Sequence, residues 1–253
     1  MDLLRGERGS RPPANASAAP ELRARLESAV LDLLGPAPLE EPIIVSAASL
    51  REFDATCEPS LATPSQVRGV LINQALRLAS VGVDVDDAFT EAMEAWRAEV
   101  GQNELTDYLD RLDADACARL AADVAAHWDT LKRSLGALSP WWLPRSAFRA
   151  YQRLAEGRVV LRDVVDLMVG TTASDVASVA LLDVTTSPLG EGAERIMRYH
   201  ALIQTLRSSI VPLRTSMFST ATGELWCRDV DDELLARSVE DVVGVVARAR
   251  ANR

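Results

Sequence analysis

Val160-Leu-Arg-Asp-Val-Val-Asp166-Leu-Met-Val-Gly170, followed by Val179-Ala-Leu-Leu-Asp183-Val-Thr185, is the stretch that decides the fold. Both segments are short and rich in Val and Leu. Turn residues bound them at Gly157 and from Thr171 to Ser174, which predicts two neighbouring strands. Each strand carries a carboxylate among apolar residues. Two carboxylates so placed can hold a divalent cation over a phosphate. Alternatively, each ends a strand or satisfies nearby backbone N–H groups.

Working outward, the period-2 pattern predicts further strands over Ser146–Leu154, Leu213–Ser219 and Glu224–Arg228, the last two joined by the turn Ala221-Thr-Gly223. Pro42–Val45 reads as a short strand. Helical spacing covers Glu21–Leu34, Pro64–Ser80, Asp86–Val100, Asn103–Arg111, Asp115–Leu135 and Glu191–Ser208, and Asp231 caps a last helix. Ser49-Leu-Arg-Glu52 has capping-box spacing and predicts the start of a short helix. Trp141-Trp142-Leu-Pro144 reads as an aromatic loop plugging a groove. This order predicts an α/β fold: a three-layer core with a mixed central sheet flanked by helices, preceded by a helical region. Residues 1–20 are expected to be a disordered tail, 21–144 mainly helical, and 145–253 the α/β core.

With 48% hydrophobic and 25% charged residues, the composition is that of a globular protein. No apolar run approaches the about 18 residues of a membrane span, so no membrane partner is expected. Cys57, Cys117 and Cys227 form no CxxC pair, which argues against a zinc site or disulfide framework and fits a cytoplasmic protein. The net charge of −10 disfavours unassisted duplex binding unless the basic residues cluster. Lys132 is the only lysine among 27 basic residues, so chemistry that needs a lysine has one candidate. His127 and His200 read as lone histidines without ligand spacing.

Four segments in order carry a resemblance. They are Gly69-Val-Leu-Ile-Asn73, Asp163-Val-Val-Asp166, Asp183-Val-Thr185 and Arg195-Ile-Met-Arg-Tyr199. The chain resembles the PD-(D/E)XK nuclease superfamily, particularly its RecB-like exonuclease branch, over residues 43–246. That resemblance implies a restriction-endonuclease-like core and a Mg2+- or Mn2+-dependent site. Its motifs are Gly-x-x-x-His, Gly-x-x-Asp, (Asp/Glu)-x-Lys and Gln-x-x-x-Tyr. By it, Asp166, Asp183 and Asn73 are the metal positions, and Asp166, Asp183, Thr185, Arg195 and Tyr199 the catalytic ones.

The departures are specific. Asn73 replaces the histidine, Asp163 the glycine, Thr185 the lysine and Arg195 the glutamine. A threonine hydroxyl can hold a water but brings no positive charge to a developing phosphate anion. Arginine stays protonated and cannot act as a base. The expectation is therefore a catalytically degenerate nuclease-fold protein with no cofactor. It would serve as a structural or regulatory subunit for a protein partner, such as a nuclease or helicase subunit, or for a second copy of itself. Three alternatives stand beside it. One is a divergent Mg2+- or Mn2+-dependent DNA exonuclease borrowing Arg195 or Arg198. Another is a protein that grips nucleic acid by arginines and tryptophans without cutting it. The last is an interaction domain unrelated to nucleases.

Overall fold

The computed structural model describes residues 4, 11–15, 18–36, 40–51, 63–173 and 175–252. Its elements run α1 (Ala18–Leu34), β1 (Ile43–Val45), α2 (Ala47–Arg51), α3 (Pro64–Ser80), α4 (Ala88–Val100), α5 (Glu104–Asp110), α6 (Ala114–Leu135), β2 (Arg145–Leu154), β3 (Val159–Val169), β4 (Ala180–Thr185), α7 (Glu191–Ser208), β5 (Arg214–Ser219), β6 (Leu225–Asp229) and α8 (Asp232–Ala251).

The helices begin where side chains accept orphan N–H groups. Thr63 and Gln66 form a capping box before α3, Asn103 and Thr106 do so for α5, and Asp87, Asp113 and Asp231 cap α4, α6 and α8. Such a cap is worth about 1 kcal/mol, whereas each fully buried Leu or Phe contributes about 1.5–3 kcal/mol. Burial therefore decides which helix covers which face. On one face α3, α4 and α6 bury Leu71, Phe89, Trp96, Trp128 and Leu131 against Leu167, Val169, Leu182 and Val184 of the sheet. On the other, α1, α7 and α8 bury Leu26, Val30, Leu202, Ile203, Val239 and Val242 against Val45, Leu154 and Leu161. The result is the three-layer α/β core with a mixed sheet.

The sheet has six strands. Strand β3 is its axis and bonds three others. Val159–Leu161 pairs with β1 in parallel and with β2 antiparallel. Leu167 and Met168 pair with both β2 and β4, again antiparallel. A strand has two edges, so β1 and β4 must share one of them. Between them Arg162 to Asp166 have no strand partner on that side. This fork in the sheet positions the polar cluster described below. Strand β4 then pairs with β5 in parallel and β5 with β6 antiparallel.

Three local expectations need correction. Part of the segment expected to be a disordered tail is placed against the fold: Pro13 bridges to Val176, Ala14 N–H donates to Asp175, and α1 starts at Ala18 with Ala18 and Ala19 buried. The short helix α2 starts two residues before Ser49, because Ser46 and Ser49 exchange the capping bonds; Glu52 and Cys57 lie outside the described residues. Finally, Trp141 fills no groove, being 92% exposed, while Trp142 packs against the helical-layer core.

One defect in the core carries a prediction. Gln204 is 2% exposed, Ser238 is fully buried, and neither amide atom of Gln204 nor the Ser238 hydroxyl has a hydrogen-bond partner among the described residues. Burying an unpaired polar group costs about 1–3 kcal/mol. Gln204→Leu is expected to raise stability by about 1–2 kcal/mol, or about 2–8 °C in Tm for a chain this long. Calorimetry checks it, and a lower Tm would mean that the amide is bonded in solution.

Candidate functional site

The ladder pairs Leu167 with Leu182. Continuing that register by one residue sets Asp166 opposite Asp183, at the point where β4 leaves β3. There the Asp166 carboxylate takes over from the backbone ladder, accepting the Val184 N–H at 2.8 Å through Oδ2. Its Oδ1 accepts the side-chain amide of Asn73, on α3, at 2.9 Å. Three of the residues singled out from the sequence thus meet at the fork. Asn73 presents its NH2 to Asp166, and its buried Oδ1 has no partner among the described residues.

Helix α7 completes the cluster from the opposite layer. His200 is 1% exposed, with Nδ1 2.7 Å from Asp163 Oδ2 and Nε2 3.7 Å from Asp183 Oδ2. Asp163 occupies an inward position of β3 and is itself buried. Tyr199, the preceding residue, is fully buried. Its hydroxyl lies 2.9 Å from the carbonyls of both Val45 and Arg162. It therefore links β1 to β3 where their ladder stops, a structural role.

The charges follow from this packing. Burial alone would lower the His200 pKa. The charge and hydrogen bond of Asp163, with the charge of Asp183, outweigh it and hold the imidazole well above 6.5. Asp166 is driven well above the usual carboxylate range by burial, reinforced by the neighbouring Asp183 charge. Burial also pushes Asp183 upward, but the neighbouring charge of His200 prevails, and its pKa falls below 3.8. The geometry thus favours a charged imidazolium facing the carboxylate of Asp183, with Asp166 as the member of the pair that carries a proton.

A pH dependence follows. The folded protein holds the His200 proton more tightly than the unfolded chain does. Its contribution is full below about pH 6.5 and is lost as pH rises through the folded pKa. Asp183 works in the other sense, its contribution being lost only as pH falls below about 3.8. The urea midpoint is therefore expected to decline from pH 6.5 upward in the native chain, and to follow a different profile in His200→Asn, set by the buried carboxylates left without the imidazole. Parallel declines in the two proteins would remove His200 as the cause.

The remaining positions lie elsewhere or are otherwise engaged. The Thr185 hydroxyl accepts the Ser187 N–H at 3.2 Å and lines a cavity of about 260 Å3 with Arg51. Arg51 is the cation whose charge reaches Asp183. Arg195 is half-buried on α7, and Arg198 is held by Asp241 at 2.8 Å. Lys132 pairs with Asp129 on α6 and sits 5.9 Å over the Trp128 ring. Among the described residues no group of three His, Cys, Asp or Glu side chains is arranged to hold a metal ion. The donors at the fork do not fit one: Asp166 is committed to Asn73 and Val184, and Asp183 faces His200.

Reading His200 as a lone histidine needs correction. It is the centre of the cluster, and spacing along the chain cannot show this because its partners lie on two strands. The available signal was Asp163, a carboxylate at an inward-facing strand position, which calls for a buried donor.

The fold and cluster define a three-layer α/β protein with buried carboxylates and an imidazole at a strand fork. Neither a family model nor a curated protein sequence matches the chain. Eight solved chains match it. One of these, the crystal structure of SSO0001, an archaeal protein, is 10% identical with a TM-score of 0.31, over 86% of this chain and 82% of that one. Among the described residues no helix is long and apolar enough to cross a membrane.

Proposed function

We propose that the chain is a non-catalytic protein built on a nuclease-like α/β core, serving as a structural or regulatory subunit for a protein partner. One observation carries this reading: His200 lies between Asp163 and Asp183, with a ring nitrogen toward each. An imidazolium there supplies the positive charge that a divalent ion would supply in a working site, and it does so as a permanent part of the core. The Asn73 amide donated to Asp166 supports the same reading, since a metal ligand would turn an oxygen toward the site. With Thr185 at the lysine position the site lacks that lysine, and Arg51, whose charge reaches Asp183, stays protonated and cannot act as a base.

The test is direct. End-labelled single- and double-stranded DNA incubated with the purified chain and Mg2+ or Mn2+ is expected to remain intact, and calorimetry with Mn2+ to give no binding heat. Metal-dependent degradation that disappears in Asp183→Ala would overturn the proposal.

A further inference from the structure

Among the described residues, the sheet face turned away from His200 is covered at the end where β3 meets β4 and exposed at the other. At the other end the register lines up three rows: Arg149 beside Val164, Tyr151 beside Arg162, and Arg153 beside Val160 and Ile44. Tyr151, Val164 and Ile44 are 50%, 49% and 41% exposed, three of the nine exposed large hydrophobic residues among those described. Tyr151 and Val164 line a depression of about 490 Å3 together with Ser46, Ala47, Arg149 and Arg162. Three arginines thus cluster on a chain of net charge −10. None of the three has an ion-pair partner among the described residues, although Glu99, already paired to Arg77, lies within electrostatic range of Arg149.

A second feature adjoins the patch. Strand β2 bonds only β3, so its other edge is an edge of the sheet. Arg23 of α1 closes its end at Gln152 and the Arg153 carbonyl. Residues 146–151 make no backbone hydrogen bond beyond the β3 ladder among the described residues. A free edge of this kind templates an added strand. Same-face side chains on β2 repeat every about 6.8 Å, the pitch at which an added strand presents its own alternate residues.

We propose that β2 is the docking edge for an extended acidic segment of a partner protein, which joins the sheet as a further strand with alternate carboxylates against Arg149 and Arg153 and with Arg162 behind them. This rests on the subunit reading above for the kind of partner. A peptide uses the backbone edge and the arginines together. A single nucleic-acid strand would use the arginines alone, because the Tyr151 ring already carries the Arg153 guanidinium at 5.7 Å and the phenol accepts its Nε–H.

The test uses the full isotope-labelled chain in chelator and a ten-residue probe peptide alternating Glu with Val. The expected result is amide shifts and slowed hydrogen exchange concentrated in 146–153. Affinity should fall at least tenfold in Arg149→Glu/Arg153→Glu, both exposed positions, and equally when alternate Val residues of the peptide become Pro at unchanged charge. Any of three results overturns the proposal: no shifts in β2, equal binding of the proline peptide, or tighter binding of a ten-nucleotide oligothymidylate through the same arginines. The assay reads no cleavage and contains no metal, so its failure leaves the non-catalytic reading intact. DNA degradation in the earlier assay would overturn that reading without altering the shifts expected here.

Discussion

His200→Ala is expected to cost about 3–5 kcal/mol of unfolding free energy, the usual penalty for removing one member of a buried ion pair. The size follows from what is left behind. The Asp163 side chain is 0% exposed and that of His200 1%, and Asp163 Oδ1 already has no partner among the described residues. Without the imidazole, Asp163 must keep a buried charge or take up a proton, and Asp183 loses the group that holds its pKa down. For a chain of this length the loss is about 6–20 °C in Tm. The pair need not be stabilising relative to an apolar one. Asp163→Leu with His200→Leu is therefore expected to recover the part of the loss that lies in the orphaned Asp163, while Asp183 still lacks the imidazole. Urea denaturation of the single and double variants measures both, and a single variant within about 1 kcal/mol of the parent would show that the cluster is solvated.

Gly170→Ala should be the other severe change. Gly170 ends β3 with φ +91, and a Cβ placed there would lie 2.0 Å from the Ser178 carbonyl oxygen and 2.8 Å from its carbon. Both are backbone atoms at the start of the approach to β4, so no side chain can swing aside. The left-handed conformation alone costs a non-glycine residue about 1–2 kcal/mol, and the overlap adds enough that the total should exceed about 3 kcal/mol. Gly82, with φ +88 and no atom within 4 Å of its Cβ position, isolates the conformational part. Gly82→Ala should cost only the about 1–2 kcal/mol of backbone strain. Similar losses in the two variants would show that the β3–β4 loop yields. The ladder that Gly170 terminates is also the one whose register sets Asp166 opposite Asp183, so a shifted loop would disturb the cluster too.

Much of the secondary structure was legible because it depends on near neighbours. The span Val159–Val169, the helix Glu191–Ser208 and the Asp231 cap are each encoded by patterns within about four residues, through alternation, a 3.6-residue stripe or a capping side chain. The misreadings came where two local signals competed. Ser49 has a capping partner at either side, and the backbone used Ser46. Trp141 and Trp142 look equivalent in sequence, yet the 3-10 turn at Pro140–Trp142 packs one half-buried ring against the helical layer and exposes the other.

Hydrophobic periodicity in the chain was enough to specify strands, helices and an α/β layering, because each apolar stripe must be covered and only a few arrangements cover all of them. It also marked Asp166 and Asp183 as carboxylates in apolar strands. What those carboxylates face was settled only by tertiary structure. The fork that leaves Arg162 to Asp166 without a partner strand on one side arises from β1 and β4 sharing that edge of β3, and α7 then lays His200 into the core between Asp163 and Asp183. Those groups lie 17 to 37 residues apart in sequence. The energy that joins them comes from burial of the surrounding helices rather than from any local preference, so no window along the chain contains it.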